Sequence, residues 1–285
     1  MKGRVVVVTG ASAGIGRAAA AALAARGATL ALVARDPARG EAALAAVRAA
    51  GGGAGSTLHR ADLSSLAEVR RLARDLLAAH AAIHVLVNNA AVIPRRRETT
   101  VDGIERQFAV NHLAYFLLTS LLLDRLKACA PARIVNVASS AHFRGRIDFE
   151  DLESERRYRS RRTYAMTKLA NLLFTFELAR RLEGKGVVAN ALHPGVVATG
   201  LLADYLRVAP GLSFLTRLVG ISPEEGARTI VHLAASSEAE RVTGKYFVKE
   251  RERRSSEASR DPAAARRLWA ESEKFVDEKR GAGTR

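Results

Sequence analysis

Tyr164 and Lys168 stand four residues apart in the stretch TYAMTKLAN, residues 163 to 171. On a helix that spacing puts a phenol and an ammonium on one face, one turn apart. A phenol is a poor acid near neutrality, with an ordinary pKa of about 10, and a neighbouring positive charge favours its ionised form. Such a pair can serve as proton donor and acceptor for carbonyl chemistry at ordinary pH. Taken alone, the spacing equally describes a packed ring beside a solvated amine, so its meaning depends on what surrounds it.

The surrounding elements begin with RVVVVT, residues 4 to 9, a continuous β-branched run of the kind buried on both faces of a parallel sheet. GASAGIG follows, with Gly10, Gly14 and Gly16, and leads into the Ala-rich helix RAAAAALAARG. Glycines between a strand and a helix let the backbone approach a pyrophosphate, whose charge the helix N-terminus stabilises. The spacing is wider than the usual dinucleotide fingerprint, and a tight turn with close helix packing accounts for the same residues. A second strand, ATLALVA, ends at Arg35, where a carboxylate would hold the ribose 2′-hydroxyl of NAD. An arginine there accommodates the 2′-phosphate of NADP(H), with Arg17 as a second cation. Asp36 keeps NAD open unless it is simply the N-cap of the helix that Pro37 begins.

Residues 37 to 50 and 64 to 80 read as helices, the second with Ser64 or Ser65 at its cap. Between them STLHRAD is a third strand, closed by Asp62 and Leu63 at the edge where such sheets bind ligands. IHVLVNN, 83 to 89, is a fourth strand running into Ala90 and Ala91, small enough for a ligand to lie against the backbone. A helical segment from about 101 to 127 carries Asn111 among apolar residues, either as a satisfied core hydrogen-bonder or as part of the chemistry. ARIVNVAS, 132 to 139, is a fifth strand ending in Ser139 and Ser140, and a charged insertion spans 143 to 162. GVVANALHPG is a sixth strand ending in Pro194 and Gly195. Residues 200 to 220 form a candidate substrate lid, or a surface helix pair packed on the core. A helix over 222 to 235, a strand GKYFV and a basic C-terminal extension, 250 to 285, with a helix around Trp269, complete the chain. The alternation predicts an α/β protein, a single domain with a Rossmann-like doubly wound parallel sheet of about seven strands.

Bulk properties are consistent with this. The chain has 285 residues, is 48% hydrophobic and 26% charged, and so can bury a full core. Cys129 is the only cysteine, which excludes an intrachain disulfide and fits a reducing compartment. No run of about 18 apolar residues appears, and MKGRVVVVTG does not read as an export signal, so a cytoplasmic location is expected. The net charge of +16 raises anionic partners. The excess is Arg spread over 95 to 97, 156 to 162 and 251 to 254, without the aromatic interleaving of a nucleic-acid binder. No nucleic acid is therefore expected, and the patches read as solvated faces or as a weak contact with a membrane surface. No metal site is expected.

Taken in order, TGASAGIG, Asp62, NNA at 88 to 90, Asn111, Ser140, Tyr164 with Lys168, and PGVVAT at 194 to 199 resemble the short-chain dehydrogenase/reductase family. Within it, IVNVASSAH, KLANLLFTFELARRL and LHPGVVATGL look like the retinol dehydrogenase and WW-domain oxidoreductase group. The resemblance implies an NADP(H)-dependent oxidoreductase interconverting an alcohol and a carbonyl, a lipophilic aldehyde or ketone, in a homo-oligomer, dimer or tetramer. It implies Tyr164 as the acid/base, Lys168 as the group that lowers its pKa and holds the nicotinamide ribose, and Ser140 rather than Ser139 on the substrate oxygen. Asn111 would hold a water linking Lys168 to solvent. Gly10, Ser12, Ala13, Gly14, Ile15 and Gly16 would surround the pyrophosphate, and Asp62 and Leu63 the adenine. Asn89 and Ala90 would meet the adjoining ribose, and Val197 and Thr199 the carboxamide end. The alternative is a non-catalytic NADP(H)-binding or sensing protein of the same fold.

Overall fold

In the computed structural model, residues 1–197, 201 and 220–278 are described. Thr199 and most of the 200 to 220 candidate lid lie outside them. The strands are β1 (Val5–Thr9), β2 (Thr29–Ala34), β3 (Thr57–Arg60), β4 (Val85–Asn88), β5 (Ala132–Val137), β6 (Val187–His193), β7 (Tyr246–Val248) and β8 (Arg251–Glu252). They form one sheet in the order β3-β2-β1-β4-β5-β6-β7-β8, parallel throughout except for β8, which runs antiparallel to β7. The chain leaves β1 in opposite directions towards β2 and β4, so the switch point where such sheets open a crevice lies between β1 and β4.

The helices are α1 (Gly14–Ala24), α2 (Pro37–Ala49), α3 (Leu66–Ala79), α4 (Arg106–Phe108), α5 (Ala114–Ala128), α6 (Ser160–Arg181), α7 (Pro223–Ala235) and α8 (Pro262–Glu278). One core packs α1, α2 and α7 against Val6, Val8, Leu30, Leu32 and Val87. The other packs α3, α5, α6 and α8 against Val7, Ala31, Val33, Leu86 and Ile134. Alternate residues of the same strands face the two cores, which is why β1 reads as an unbroken apolar run. Helices α2, α3 and α7 are among those that begin at side-chain caps: Asp36 accepts from Arg39 N–H at 3.0 Å, Ser65 from Glu68 N–H at 3.4 Å and Ser222 from Glu225 N–H at 3.1 Å.

Three features depart from the sequence expectation. An eighth strand adds to the expected seven, through a two-residue hairpin in which Lys249 and Glu250 both have positive φ, 51° and 63°. That is the backbone of a tight hairpin turn usually made by Asn and Gly. Here Thr229 Oγ1 accepts from Glu250 N–H at 3.1 Å and Arg228 pairs with the Glu250 carboxylate at 2.8 Å. The third strand stops at Arg60, so Asp62 and Leu63 belong to the loop beyond it. The helix around Asn111 begins at Arg106 and is interrupted by a π-helical turn, Ala109–Leu113, before α5.

The C-terminal helix α8 lies on α6. Trp269 stacks on Phe174 with ring centroids 5.7 Å apart, meets Phe116 edge-on at 5.0 Å, and is covered by the Arg181 guanidinium at 4.1 Å. Trp269→Ala is expected to destabilise the fold by about 3 kcal/mol or more, because the surrounding rings cannot collapse onto the space. Chemical denaturation, read as a midpoint shift at constant slope, measures this.

Candidate active site

The crevice at the carboxyl edge has two connected chambers. One, of about 520 Å³, is lined by Gly10, Ser12, Ala13, Gly14, Ile15, Gly16, Arg35, Asp62, Leu63, Asn89 and Ala90. The other, of about 660 Å³, holds Ser139, Ser140, Tyr164, Lys168, His193 and Val197. Ile15, Asn89, Ala91 and Leu201 border both.

The first chamber is built by backbone. Gly10 and Gly14 have φ of +66° and +52°, a region that other residues rarely adopt. A Cβ on Gly16 would lie 2.4 Å from Gly10 O and 2.5 Å from Asn89 Nδ2, so only glycine fits where α1 meets the loop. Asn89 secures the loop from below, donating through Nδ2 to Thr9 O at 2.8 Å. The Thr9 hydroxyl in turn accepts from the N–H of Asn89 at 2.8 Å and of Ala90 at 3.1 Å. α1 starts without any side-chain cap, which leaves its first N–H groups for an anion.

At the far wall, Arg35 is exposed and has no hydrogen-bond or ion-pair partner among the described residues. Asp36 is committed to capping α2, and neither it nor Arg17 lines the chamber. Burial acts to raise the Asp62 pKa, but hydrogen bonds from Ser64 N–H at 2.9 Å and Ser64 Oγ at 2.8 Å, with the charges of Arg35 and Arg106, hold the carboxyl below its ordinary value.

In the second chamber α6 presents Tyr164 and Lys168 on one face, both buried. Lys168 Nζ donates to Val137 O at 2.9 Å, at the end of β5, and lies 5.6 Å from the centre of the Tyr164 ring. It is also 5.8 Å from the Tyr115 ring. Burial pulls its pKa down to about 7. Ser139 is consumed locally: its hydroxyl accepts from Ala141 N–H at 3.2 Å, capping the short 3-10 turn Ser140–Arg144. Ser140 lines the chamber and has no hydrogen-bond partner among the described residues.

Asn111 is fully buried and borders neither chamber. Its Oδ1 accepts from Val92 N–H at 2.8 Å, while Nδ2 donates to Val92 O at 3.0 Å and to Thr167 Oγ1 at 3.2 Å. The Thr167 hydroxyl donates to Tyr164 O at 2.9 Å. The Asn111 side chain is thereby a brace between the loop after β4 and the Tyr164 turn of α6, with both amide hydrogens and one lone pair of its oxygen engaged.

Three residues that sequence reading did not single out contribute. Tyr115 donates to Ala90 O at 3.0 Å, fixing the chamber wall, and its phenol is raised well above its ordinary pKa by burial and by Tyr164. Thr9 orders the start of the wall as described. His142 is fully buried; its Nε2 accepts from Ser256 N–H at 3.2 Å, so Nδ1 carries the proton and donates to Ser139 O at 2.6 Å. Only its position just after the Ser pair could have drawn attention to it. Among the described residues no cluster of His, Cys, Asp or Glu could hold a metal ion, and no helix is long and apolar enough to cross a membrane.

The chain is similar to known proteins in sequence and in fold. The sequence model described as short chain dehydrogenase matches residues 4–207. Retinol dehydrogenase 12 of Mus musculus is 44% identical over 270 residues, covering 94% of this chain and 84% of the relative. Retinol dehydrogenase 13 of Homo sapiens is 42% identical over 286 residues, covering 96% and 85%. Among solved structures, an uncharacterized protein from Mycobacterium paratuberculosis superposes with a TM-score of 0.78 at 35% identity, covering 96% of this chain and 94% of that one. The Pseudomonas aeruginosa RhlG/NADP active-site complex gives 0.70 at 27% identity, covering 87% and 94%.

The buried ammonium yields a stability signature. The folded-state pKa of Lys168 lies near 7, below the ordinary lysine value, so between about 7 and 10.5 the unfolded chain binds more protons and stability rises with pH. The desolvation cost is fully present below pH 7 and shrinks above it. Lys168→Met is therefore expected to be more favourable to stability at pH 6 than at pH 9, by about 2 to 3 kcal/mol. Denaturant titrations of both proteins without cofactor at the two pH values measure the difference.

Proposed function

The chain belongs to the short chain dehydrogenase family, and from that premise we propose an NADP(H)-dependent oxidoreductase that interconverts an alcohol and a carbonyl, with Tyr164 moving the proton. The observation that carries this reading is the placement of Ser140, Tyr164 and Lys168 in one chamber that opens onto the glycine-lined one. The crevice fits a nicotinamide dinucleotide on two grounds: an uncapped helix N-terminus beside glycines, and an exposed arginine, without a hydrogen bond or ion pair among the described residues, at the end where a 2′-phosphate would lie. When bound, the cofactor supplies or accepts the hydride.

The residues of the chain do the rest. Gly10 to Gly16 orient the pyrophosphate, and Arg35 takes the 2′-phosphate while Asp36 stays on its helix cap. Val197, buried beside Pro194 and Gly195, walls the nicotinamide end. In the reductive direction the Ser140 hydroxyl donates a hydrogen bond to the carbonyl oxygen, and Tyr164 gives its proton to the oxygen as negative charge develops there. Lys168, when charged, stabilises the phenolate left behind. With a depressed pKa it can also lose a proton towards solvent near neutrality, which suits a site that must be reset after each turnover. Phe143 and Val196 are the large apolar side chains most exposed beside the second chamber, 55% and 52%, and favour a lipophilic substrate. The names of the retinol dehydrogenase relatives point the same way.

Two measurements test this. Tyr164→Phe is expected to lower kcat for NADPH-dependent reduction of an aldehyde panel by about 10²- to 10⁴-fold, with NADPH affinity by fluorescence titration retained; turnover at the wild-type rate removes Tyr164 from the chemistry. A variant and a wild-type protein that both bind NADPH and reduce nothing would instead favour a sensing role. Arg35→Asp is expected to weaken NADPH by about 10- to 100-fold while NADH changes far less. Equal losses for both cofactors would mean that Arg35 does not read the phosphate.

A further inference from the structure

The second chamber contains one charged group that the proton chemistry does not use. Arg144, the last residue of the 3-10 turn that starts at Ser140, lines the same cavity as Tyr164. It does not border the glycine-lined chamber, so it is not placed on cofactor phosphates. Its guanidinium has no hydrogen-bond or ion-pair partner among the described residues. Arg146, Arg157, Arg159 and Arg162 of the same insertion likewise have no side-chain hydrogen-bond or ion-pair partner among the described residues, but none of them lines this chamber; Arg144 does.

The turn that carries Arg144 is held against the Tyr164 helix. A Cβ on the next residue, Gly145, would lie 2.5 Å from Ala165 O and 2.8 Å from Leu169 Cβ, so backbone sits directly on α6 one residue past Tyr164. At the other end, His142 ties the same turn to Ser139 O and to Ser256. Arg144 is therefore delivered to the chamber by fixed backbone on both sides of it. Around it stand Phe143, Val196 and Leu201, apolar and at least partly exposed.

Resting on the oxidoreductase reading above, the geometry points to a substrate with an anionic head, which Arg144 binds, and an apolar body that lies on Phe143 and Val196. The class is an oxo acid, reduced to a hydroxy acid, or the same pair in reverse. Hydride adds to the carbonyl carbon, the Tyr164 proton to its oxygen, and the head group is unchanged. A guanidinium fork matches a carboxylate bidentately and matches a phosphate monoester equally well, so the shared requirement is an oxyanion.

Steady-state kinetics with NADPH and a graded series of ω-oxo carboxylic acids test the proposal, each compared with its own methyl ester and with an aldehyde carrying a phosphate monoester. The acid is expected to exceed its ester in kcat/KM by about 10- to 100-fold at the best chain length. In Arg144→Met that preference falls to about one, and Arg144→Lys restores part of it. Phosphate outperforming carboxylate identifies the head group as the former. Equal kcat/KM for acid and ester in the wild type, or a preference that survives in Arg144→Met, overturns the proposal. A separate arm does not need turnover: calorimetric binding of an unreactive long-chain carboxylate to the NADPH-loaded protein. About a tenfold loss in Arg144→Met supports the anion site and equal binding overturns it. Absence of NADPH oxidation with every carbonyl, with that carboxylate still bound through Arg144, would count against the oxidoreductase reading alone.

Discussion

Lys168 is a buried amine that meets no carboxylate among the described residues, where a carbonyl at the end of β5 is its hydrogen-bond partner. Moving an ammonium out of water costs several kcal/mol, and one neutral hydrogen bond returns only part of that. The fold offsets the remainder elsewhere, chiefly through the two apolar cores on either side of the sheet. What the cost secures is a charge whose distance from Tyr164 cannot relax. A solvated lysine would swing away from the phenol and screen itself, and its field at the ring would fall accordingly. Most of the site's other polar contacts serve the same end. Asn111 and Thr167 fix the Tyr164 turn of α6, and Tyr115 and Thr9 fix the wall opposite.

Much of this was legible from local signals. β1 reads as buried because its β-branched run is unbroken, the glycine loop because a strand precedes and a helix follows it, and a cap at Ser64 or Ser65, with Asp36 as a candidate cap, because these stand just before helix-forming residues; the structure selects Ser65 and Asp36. The resemblance supplied roles for Ser140, Tyr164 and Lys168, and the structure gathers those three in one chamber. What was not legible depends on long-range contact or on unusual backbone. Tyr115 reaches Ala90 across 25 residues of sequence and His142 meets Ser256 across 114, and no periodicity encodes either. The π turn at Ala109–Leu113 reads Ala-Val-Asn-His-Leu, a run that an ordinary helix also accommodates, so its extra residue per turn leaves no trace in the pattern. β8 was missed because Lys249 and Glu250 occupy positions that turn chemistry assigns to Asn and Gly.

The insertion at 143 to 162 was hard to read for a different reason. Its apolar anchors, Ile147, Phe149 and Leu152, follow no regular period, and much of its attachment is polar: the Tyr158 hydroxyl donates to Pro94 O at 3.0 Å and accepts from Gln107 Nε2 at 2.8 Å, and Arg97 donates to Glu153 O at 3.2 Å. Hydrophobic periodicity is blind to such attachments. Gln107 lies on α4, directly before the π turn, so the insertion and the Asn111 brace are fastened to the same stretch of chain.

The segment after β8 completes the site rather than merely following it. Its Ser256 N–H reaches His142, which holds the Ser139–Ser140 turn, and its Ser272 hydroxyl meets His112 Nε2 at 2.8 Å in the π turn that carries Asn111. Arg70 of α3 closes the far end, donating to Val276 O at 2.6 Å. Both histidines are buried, and burial holds each below the ordinary imidazole pKa, His112 at about 4. A neutral ring can donate at one nitrogen and accept at the other, which is what His142 does between Ser139 O and Ser256 N–H. A protonated ring loses the acceptor, so the link to Ser256 requires the neutral form that burial enforces. Two turns bearing site residues are thus tied to one C-terminal segment through imidazoles kept neutral by the packing that segment provides. The ordering of Ser140 and Asn111 is for that reason a property of the whole chain to α8, beyond what β1 to β6 and their helices specify.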